Sequence, residues 1–159
     1  MPVNDTIKIT PYSDMYIRVM FGNASTVVSQ RAVAGQEYEI SPPTPITSRN
    51  TLQVTIYAAS RIQGFSDLSA FYIRDNNFSR ATKLKTLVLG NPTPGYKNTA
   101  IESLGIGANT LLETLDIRNL PNLTGALNLT QCDNLINLYA TNTSLTSITF
   151  ATAGKITHA

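Results

Sequence analysis

Apolar and polar residues alternate in short segments over the first 60 residues of the chain. In the second of these segments, Ile17, Val19 and Phe21 fall on one face. Alternation with a period of two is typical of half-buried antiparallel strands. The proline-rich stretch 41–45 interrupts the fourth strand, because proline cannot donate to a sheet. The pattern predicts a small all-β unit over residues 1–60, with four or five antiparallel strands drawn from the segments 7–9, 16–21, 27–28, 36–40 and 51–57.

From residue 61 onward the apolar residues follow a repeating spacing. It reads apolar-x-x-apolar-x-apolar-x-x-Asn-x-apolar, and two stretches match it in full, Leu68 to Phe78 and Ile101 to Leu111. A third copy, Leu135 to Leu145, has Thr in place of Asn. Such repetition is typical of a solenoid, in which each turn covers the apolar face of its neighbour. The sequence therefore predicts a mainly β solenoid of three to four coils over residues 61–159, with partial copies that begin at Leu84, Leu112, Leu127 and Leu145.

The distances between copies set the size of each coil. Leu112 and Leu135 are 23 residues apart, and Leu84 and Leu112 are 28 apart because of a Pro/Gly-rich insert at 91–97. Only 16 residues separate Leu68 from Leu84. Terminal repeats are commonly irregular, so we expect an atypical first coil.

One position of the repeat is polar although its neighbours point inward. Where a strand ends and the chain bends, backbone N–H and C=O groups lose their sheet partners, and each group left unpaired in the interior costs about 1–3 kcal/mol. An inward Asn amide both donates and accepts, so it can satisfy such groups in successive coils. We assign this structural role to four residues: Asn76, Asn109, Cys132 and Thr143.

The repeat resembles that of leucine-rich repeat proteins, most clearly over Leu68 to Phe78 and Ile101 to Leu111. The resemblance covers residues 62–157 and is similar to the bacterial and bacteriophage variety, with repeats of about 22 residues. It implies an extended sheet surface that contacts protein or glycan partners, and no catalysis. Many members of this type carry a small β-sandwich before the repeats, so the resemblance also implies that residues 1–60 cap the first coil.

Charged residues are scarce, and uncharged polar residues take their place. The chain has 12 Lys+Arg and 10 Asp+Glu, or 14% of 159 residues, beside 21 Thr and 14 Asn. A net charge of +2 without a basic run argues against nucleic acid as a partner. No apolar run approaches the roughly 20 residues of a membrane span, and the first residues lack the features of a Sec signal peptide.

The chain offers few groups for catalysis or metal binding. It has a single cysteine, Cys132, and a single histidine, His158, so most metal and nucleophile constellations cannot be assembled. Several carboxylates fall between apolar repeat positions, where a solvated outward location explains them better than a glycosidase pair. We therefore expect no enzymatic activity and no cofactor, and we expect outward side chains at Asp67, Asp75, Glu102, Glu113 and Asp116.

Outward positions between the apolar residues form a candidate contact face. Each coil contains two copies of the apolar spacing, one on each side of the coil. The copies on one side place a row of four outward residues on the exposed side of the sheet: Tyr72, Val88, Asp116 and Tyr139. The competing interpretation is a solvated face without a ligand. We take this row as the candidate face for contact with a protein or a surface glycan.

These features lead to one functional hypothesis and two alternatives. We expect a non-enzymatic structural or attachment protein, located in a bacteriophage virion, that contacts other virion subunits, a host surface protein or a surface glycan. The alternative is a bacterial cell-surface or secreted adhesion module, and a third interpretation is an accessory domain of a glycan-degrading enzyme. Residues 154–159 lack a charged cap, so we expect a longer chain or a covering partner, and a homo-oligomer stays open.

Overall fold

Short strands dominate the computed structural model, which describes residues 6–21, 27–42, 54–57, 59–67, 75–90, 101–152 and 154–157. Within these ranges the regular structure comprises thirteen β-strands and one 3-10 turn, Ala59–Arg61. The chain is therefore mainly β with almost no helix, as the sequence predicts. In the same ranges, no helix reaches the length and apolar character required to cross a bilayer.

The alternating segments of the N-terminal region form strands. They are β1 (Ile7–Pro11), β2 (Met15–Phe21), β3 (Val27–Ala32), β4 (Tyr38–Ile40) and β5 (Val54–Ile56). Strand β2 lies between β3 and β5 in a three-stranded antiparallel sheet. Its inward residues Ile17, Val19 and Phe21 are buried. The predicted alternation along this strand is confirmed.

After residue 60 the strands stack in parallel in two series. They are β6 (Ile62–Asp67), β7 (Asp75–Asn77), β8 (Thr86–Val88), β9 (Ser103–Gly105), β10 (Thr114–Asp116), β11 (Thr124–Leu129), β12 (Asn137–Tyr139) and β13 (Ser144–Phe150). One series joins β6, β8, β10 and β12 in that order. The other pairs β7 with β9 and β11 with β13. The three successive pairings of the first series give a β-solenoid of about three turns.

The first coil is regular, which corrects our expectation of a short one. Strand β6 pairs with β8 so that Phe65 lies opposite Leu87, 22 residues along the chain. The spacing of Ile62 and Phe65 repeats that of Leu84 and Leu87, but Asp67 stands where later coils have a third apolar residue. Asp67 is buried, which also corrects its expected outward position. Because this residue is acidic, it interrupts the apolar pattern, and the first copy of the repeat is not recognisable from hydropathy alone.

Two of the five N-terminal strands, β1 and β4, share a sheet with the solenoid. Strand β1 pairs antiparallel with both β4 and β6, which gives the strand order β12-β10-β8-β6-β1-β4. One buried cluster likewise includes Ile7 and Val19 together with Leu115 and Leu138. Strand β1 therefore supplies hydrogen bonds to the edge that the first coil would otherwise leave open. The proposed boundary between residues 1–60 and 61–159 lies within this sheet, and the division stays a prediction.

Candidate functional site

The outward side chains of the six-stranded sheet line up in two rows. The first row joins one residue each from β1, β6, β8, β10 and β12: Lys8, Ser66, Val88, Asp116 and Tyr139. The second row joins the residues two positions along each strand: Thr10, Gly64, Thr86, Thr114 and Asn137. Because neighbouring strands lie about 4.8 Å apart, each row is roughly 19 Å long. We call these two rows the outer face.

Three of the four residues of the predicted contact face fall in the first row. Val88, Asp116 and Tyr139 are direct cross-strand neighbours. Tyr72 lies outside the described residues, so its place in the contact face stays a prediction. In the first row, the residue of β6 that lies opposite Val88 is Ser66.

Asp116 is buried beneath a neighbouring cation, which corrects its expected solvated position. The Arg118 guanidinium donates to both carboxylate oxygens, from Nε to Oδ1 at 3.0 Å and from Nη2 to Oδ2 at 2.6 Å. This hydrogen bonding raises the pKa of Arg118. The same guanidinium lies 4.7 Å from the centroid of the Tyr139 ring. Since each contact restrains the others, acid, cation and aromatic ring form one fixed cluster.

A groove lies at the other end of the outer face, between β1 and β8. Its volume is about 520 Å³, within the range of small-ligand sites. A Cβ added at Gly64 would lie 2.9 Å from the Thr10 hydroxyl, so the second row has no room for a side chain at this point. The lining is mostly apolar surface, and polar groups are contributed by Lys8, Thr10, Gln63, Ser66, Lys85 and Thr86.

The positively charged side chain of Lys8 lies at the rim of this groove. The Lys8 ammonium lies 3.1 Å from Glu37 Oε1 and 3.0 Å from Glu39 Oε1. Hydrogen bonds to Glu39 and to Glu37 raise the pKa of Lys8. Lys8 therefore stays a cation whose direction is set by two carboxylates, although exposed pairs of this kind add little to stability.

No protein-family model matches this sequence, and comparisons with curated proteins and with solved structures found no significant match. In the part of the chain that the structure describes, no group of three or more His, Cys, Asp or Glu side chains is placed to hold a metal ion.

Asn109 fixes the distance between two coils from the interior. It is fully buried, and its Oδ1 accepts a 2.9 Å hydrogen bond from the N–H of Gly107. Its Nδ2 donates to the carbonyl oxygens of Phe78, at 3.0 Å, and Ala81, at 2.8 Å. One amide thus pairs backbone groups in its own coil and in the preceding one.

Cys132 holds the same place in the next coil. Its carbonyl accepts from the N–H of Leu135, as the Asn109 carbonyl accepts from Leu112. Burial, with a smaller contribution from the charge of Asp133, raises the pKa of the Cys132 thiol to about 11. The side chain is therefore a neutral thiol inside the core at ordinary pH.

The remaining two polar assignments differ from Asn109. The Thr143 hydroxyl donates to the carbonyl of Ala140 at 3.0 Å, within its own bend. Asn76 lies in β7 opposite Leu104, five residues before the position that Asn109 holds in the next coil. The Asn76 side chain is outside the described part, so its structural role stays a prediction.

Two asparagines on the other bend form a ladder that was not predicted from the sequence. Asn142 Nδ2 donates a 2.7 Å hydrogen bond to Asn119 Oδ1, and the two residues have φ of 59° and 58°. Asn tolerates this left-handed conformation better than most residues. The signal was present, because both copies read Leu-x-x-Leu-x-apolar-x-Asn, with Asn one residue earlier than the spacing we required.

Proposed function

We propose that this chain is a non-enzymatic structural or attachment protein of a bacteriophage virion, built on leucine-rich repeats. Its outer face contacts a protein or a surface glycan. The observation that carries this proposal is the register of five strands, which holds ten residues in two parallel rows. A face whose groups are already fixed loses less entropy when a partner binds.

The chemistry of the outer face suits a neutral, hydroxyl-rich partner. The second row presents hydroxyls and an amide, and Asn137 Nδ2 already donates to Thr114 Oγ1 at 3.2 Å. The charges of the first row are compensated, since Lys8 pairs with two glutamates and Arg118 with Asp116. Tyr139 adds an aromatic surface next to these polar groups. A glycan or an uncharged protein strand fits such a surface better than a polyanion.

The proposal extends to the architecture and the location. Residues 1–60 form a β-sandwich that caps the first coil, and the pairing of β1 with β6 supports this arrangement. The low charge and the abundance of Thr and Asn suit a particle surface where many copies lie close together, because uncharged polar groups limit electrostatic repulsion.

Proteomic analysis of purified virions tests the location. We expect this chain among the virion proteins, at a constant ratio to the major capsid protein through successive gradients. Antibody labelling by electron microscopy should then place it at a fixed point on the particle. If the chain is absent from virions and is instead recovered from the bacterial envelope or the medium, the surface or secreted adhesion module replaces this proposal.

A further inference from the structure

A surface of different chemistry lies on the sheet β3-β2-β5. Four exposed residues share its outward side: Tyr16 and Arg18 of β2, Arg31 of β3, and Tyr57 directly after β5. Tyr16 lies directly opposite Arg31. The Arg18 guanidinium is 5.3 Å from the centroid of the Tyr57 ring. We call these two neighbouring Arg–Tyr pairs the Arg–Tyr patch.

The two cations of the Arg–Tyr patch are not neutralised by the part of the protein that the structure describes. The ion pairs found there belong to Lys8 and Arg118. Arg18 and Arg31 are diagonal neighbours on adjacent strands, so their positive charges lie on the same face of the sheet. Uncompensated charges of one sign on one face attract a counter-ion, and an anion with more than one charged group can pair with both.

The aromatic residues restrict the chemistry of that anion. Tyr16 is 64% exposed, the highest value among the large apolar side chains of the described residues. Tyrosine offers a broad, rigid contact surface with an apolar body and a polar tip, at a low cost in side-chain entropy. The apolar face of a pyranose ring packs flat on such a surface, while its hydroxyls remain free for hydrogen bonds.

We propose that the Arg–Tyr patch binds a carboxylated polysaccharide. The guanidinium groups of Arg18 and Arg31 each donate two hydrogen bonds to a carboxylate of the polysaccharide. Tyr16 packs against the sugar ring between them. This function goes beyond the contact made by the outer face, which lies on another sheet. An acidic polypeptide satisfies the two arginines equally well but provides no flat ring for Tyr16, so the polysaccharide is the favoured occupant.

Binding of labelled polymers to the full chain tests this proposal. The probes are polygalacturonate, uncharged dextran and poly-L-glutamate, and the variants are Arg18→Gln, Arg31→Gln and Tyr16→Ala. Arg80→Gln serves as the control, since Arg80 is an exposed arginine in the bend after β7. All substituted side chains are exposed, and circular dichroism checks that each variant is folded.

The expected result is binding to polygalacturonate and none to dextran. Each Arg→Gln change should weaken polygalacturonate binding at least tenfold, and Arg80→Gln should leave it unchanged. Tyr16→Ala should weaken polygalacturonate binding about tenfold while it leaves any binding of poly-L-glutamate unaltered. The proposal is overturned if polygalacturonate does not bind, or if poly-L-glutamate binds as tightly and Tyr16→Ala has no effect. The latter result would indicate an acidic protein partner.

Discussion

Asn109 donates a 2.8 Å hydrogen bond from Nδ2 to the carbonyl oxygen of Ala81, which lies in the preceding coil. The bond joins the bends of two successive coils, beside the backbone hydrogen bond from the N–H of Phe78 to the carbonyl of Gly105. Because Asn109 is fully buried, water cannot take over the role of either group. The outer face depends on such internal links, since they hold successive strands in register.

Replacement of Asn109 by alanine should destabilise the fold strongly. It removes the side-chain partner of the Gly107 N–H and one of the two hydrogen bonds that the carbonyls of Phe78 and Ala81 each accept. Each carbonyl keeps a bond from a backbone N–H of its own bend. An unsatisfied buried group costs about 1–3 kcal/mol, so we expect a loss of about 2–3 kcal/mol in the free energy of unfolding, measured by urea denaturation.

Two further variants separate the hydrogen bonds of Asn109 from a general effect of substitution. Asn109→Asp keeps the acceptor for Gly107 but loses both donors, so it should destabilise about as much as Asn109→Ala. The control is Asn128→Ala, because Asn128 is exposed and bonds within its own bend to Thr130. It should cost less than about 1 kcal/mol. Equal losses at positions 109 and 128 would contradict this account.

Substitution of Gly90 by alanine should force two coils apart. A Cβ at this position would lie closer than 3.0 Å to backbone atoms of Arg118, and backbone cannot move aside as a flexible side chain can. We expect a loss of about 3 kcal/mol in unfolding free energy, at the upper end for overpacking. Gly125→Ala is the comparison, because Gly125 has open space around it and only its φ of 82° opposes a side chain. That change should cost about 1 kcal/mol.

The Asp116–Arg118 pair should show energetic coupling in a double-mutant cycle. Arg118→Ala leaves the Asp116 carboxylate buried without the two hydrogen bonds from the guanidinium. In the double variant, Asp116→Asn also removes the negative charge of this carboxylate. The guanidinium is partly exposed, with 29% of its side-chain surface accessible, and solvent screens the attraction. We therefore expect a coupling energy of only about 1 kcal/mol. A coupling energy indistinguishable from zero would show that the pair does not hold the cluster.

The Cys132 thiol should react slowly in the folded protein. With a pKa of about 11, about one thiol in a thousand is ionised at pH 8, and the thiolate is the reactive species. Unfolding should therefore increase the rate of alkylation by iodoacetamide at least about 100-fold. The unfolded thiol ionises near pH 9 and the folded one near pH 11, so unfolding releases a proton between these values and stability should fall as pH rises through this window. Rapid alkylation of the folded protein at pH 8 would contradict the buried position.

Strands β1 and β2 could be located from the sequence because each has a clear period of two. Strand β3 has no such alternation, and only its first two residues were predicted. The coils that begin at Leu84, Leu112 and Leu135 were as clear as β1 and β2, since all three have leucine or another apolar residue at each inward position. The first coil was predicted to begin at Leu68 and not at Ile62, because Asp67 occupies one of these inward positions and is buried there. A hydropathy pattern cannot recognise a buried acid as an inward residue.

The candidate site was predicted less completely than the fold. Cross-strand order places Val88, Asp116 and Tyr139 in one row, and the repeat spacing contains that information. The repeat spacing does not predict that Lys8 belongs to this row, because β1 precedes the repeats in the sequence and joins the sheet by antiparallel pairing with β6. The Arg118 contacts also depend on the bend after β10, where local geometry turns the guanidinium back over the sheet.

A binding panel tests whether the outer face contacts a partner. The panel contains bacterial surface polysaccharides and isolated virion proteins, and the measured quantity is the dissociation constant for wild type, Thr86→Arg and Thr149→Arg. Thr86 is exposed in the middle of the outer face, and Thr149 is exposed in β13 of the other series. We predict at least one ligand that Thr86→Arg weakens more than tenfold and that Thr149→Arg leaves unchanged. A ligand of the Arg–Tyr patch would bind all three proteins equally, so such a ligand does not bear on the outer face. If no ligand in the panel is weakened by Thr86→Arg in this way, contact through the outer face is contradicted.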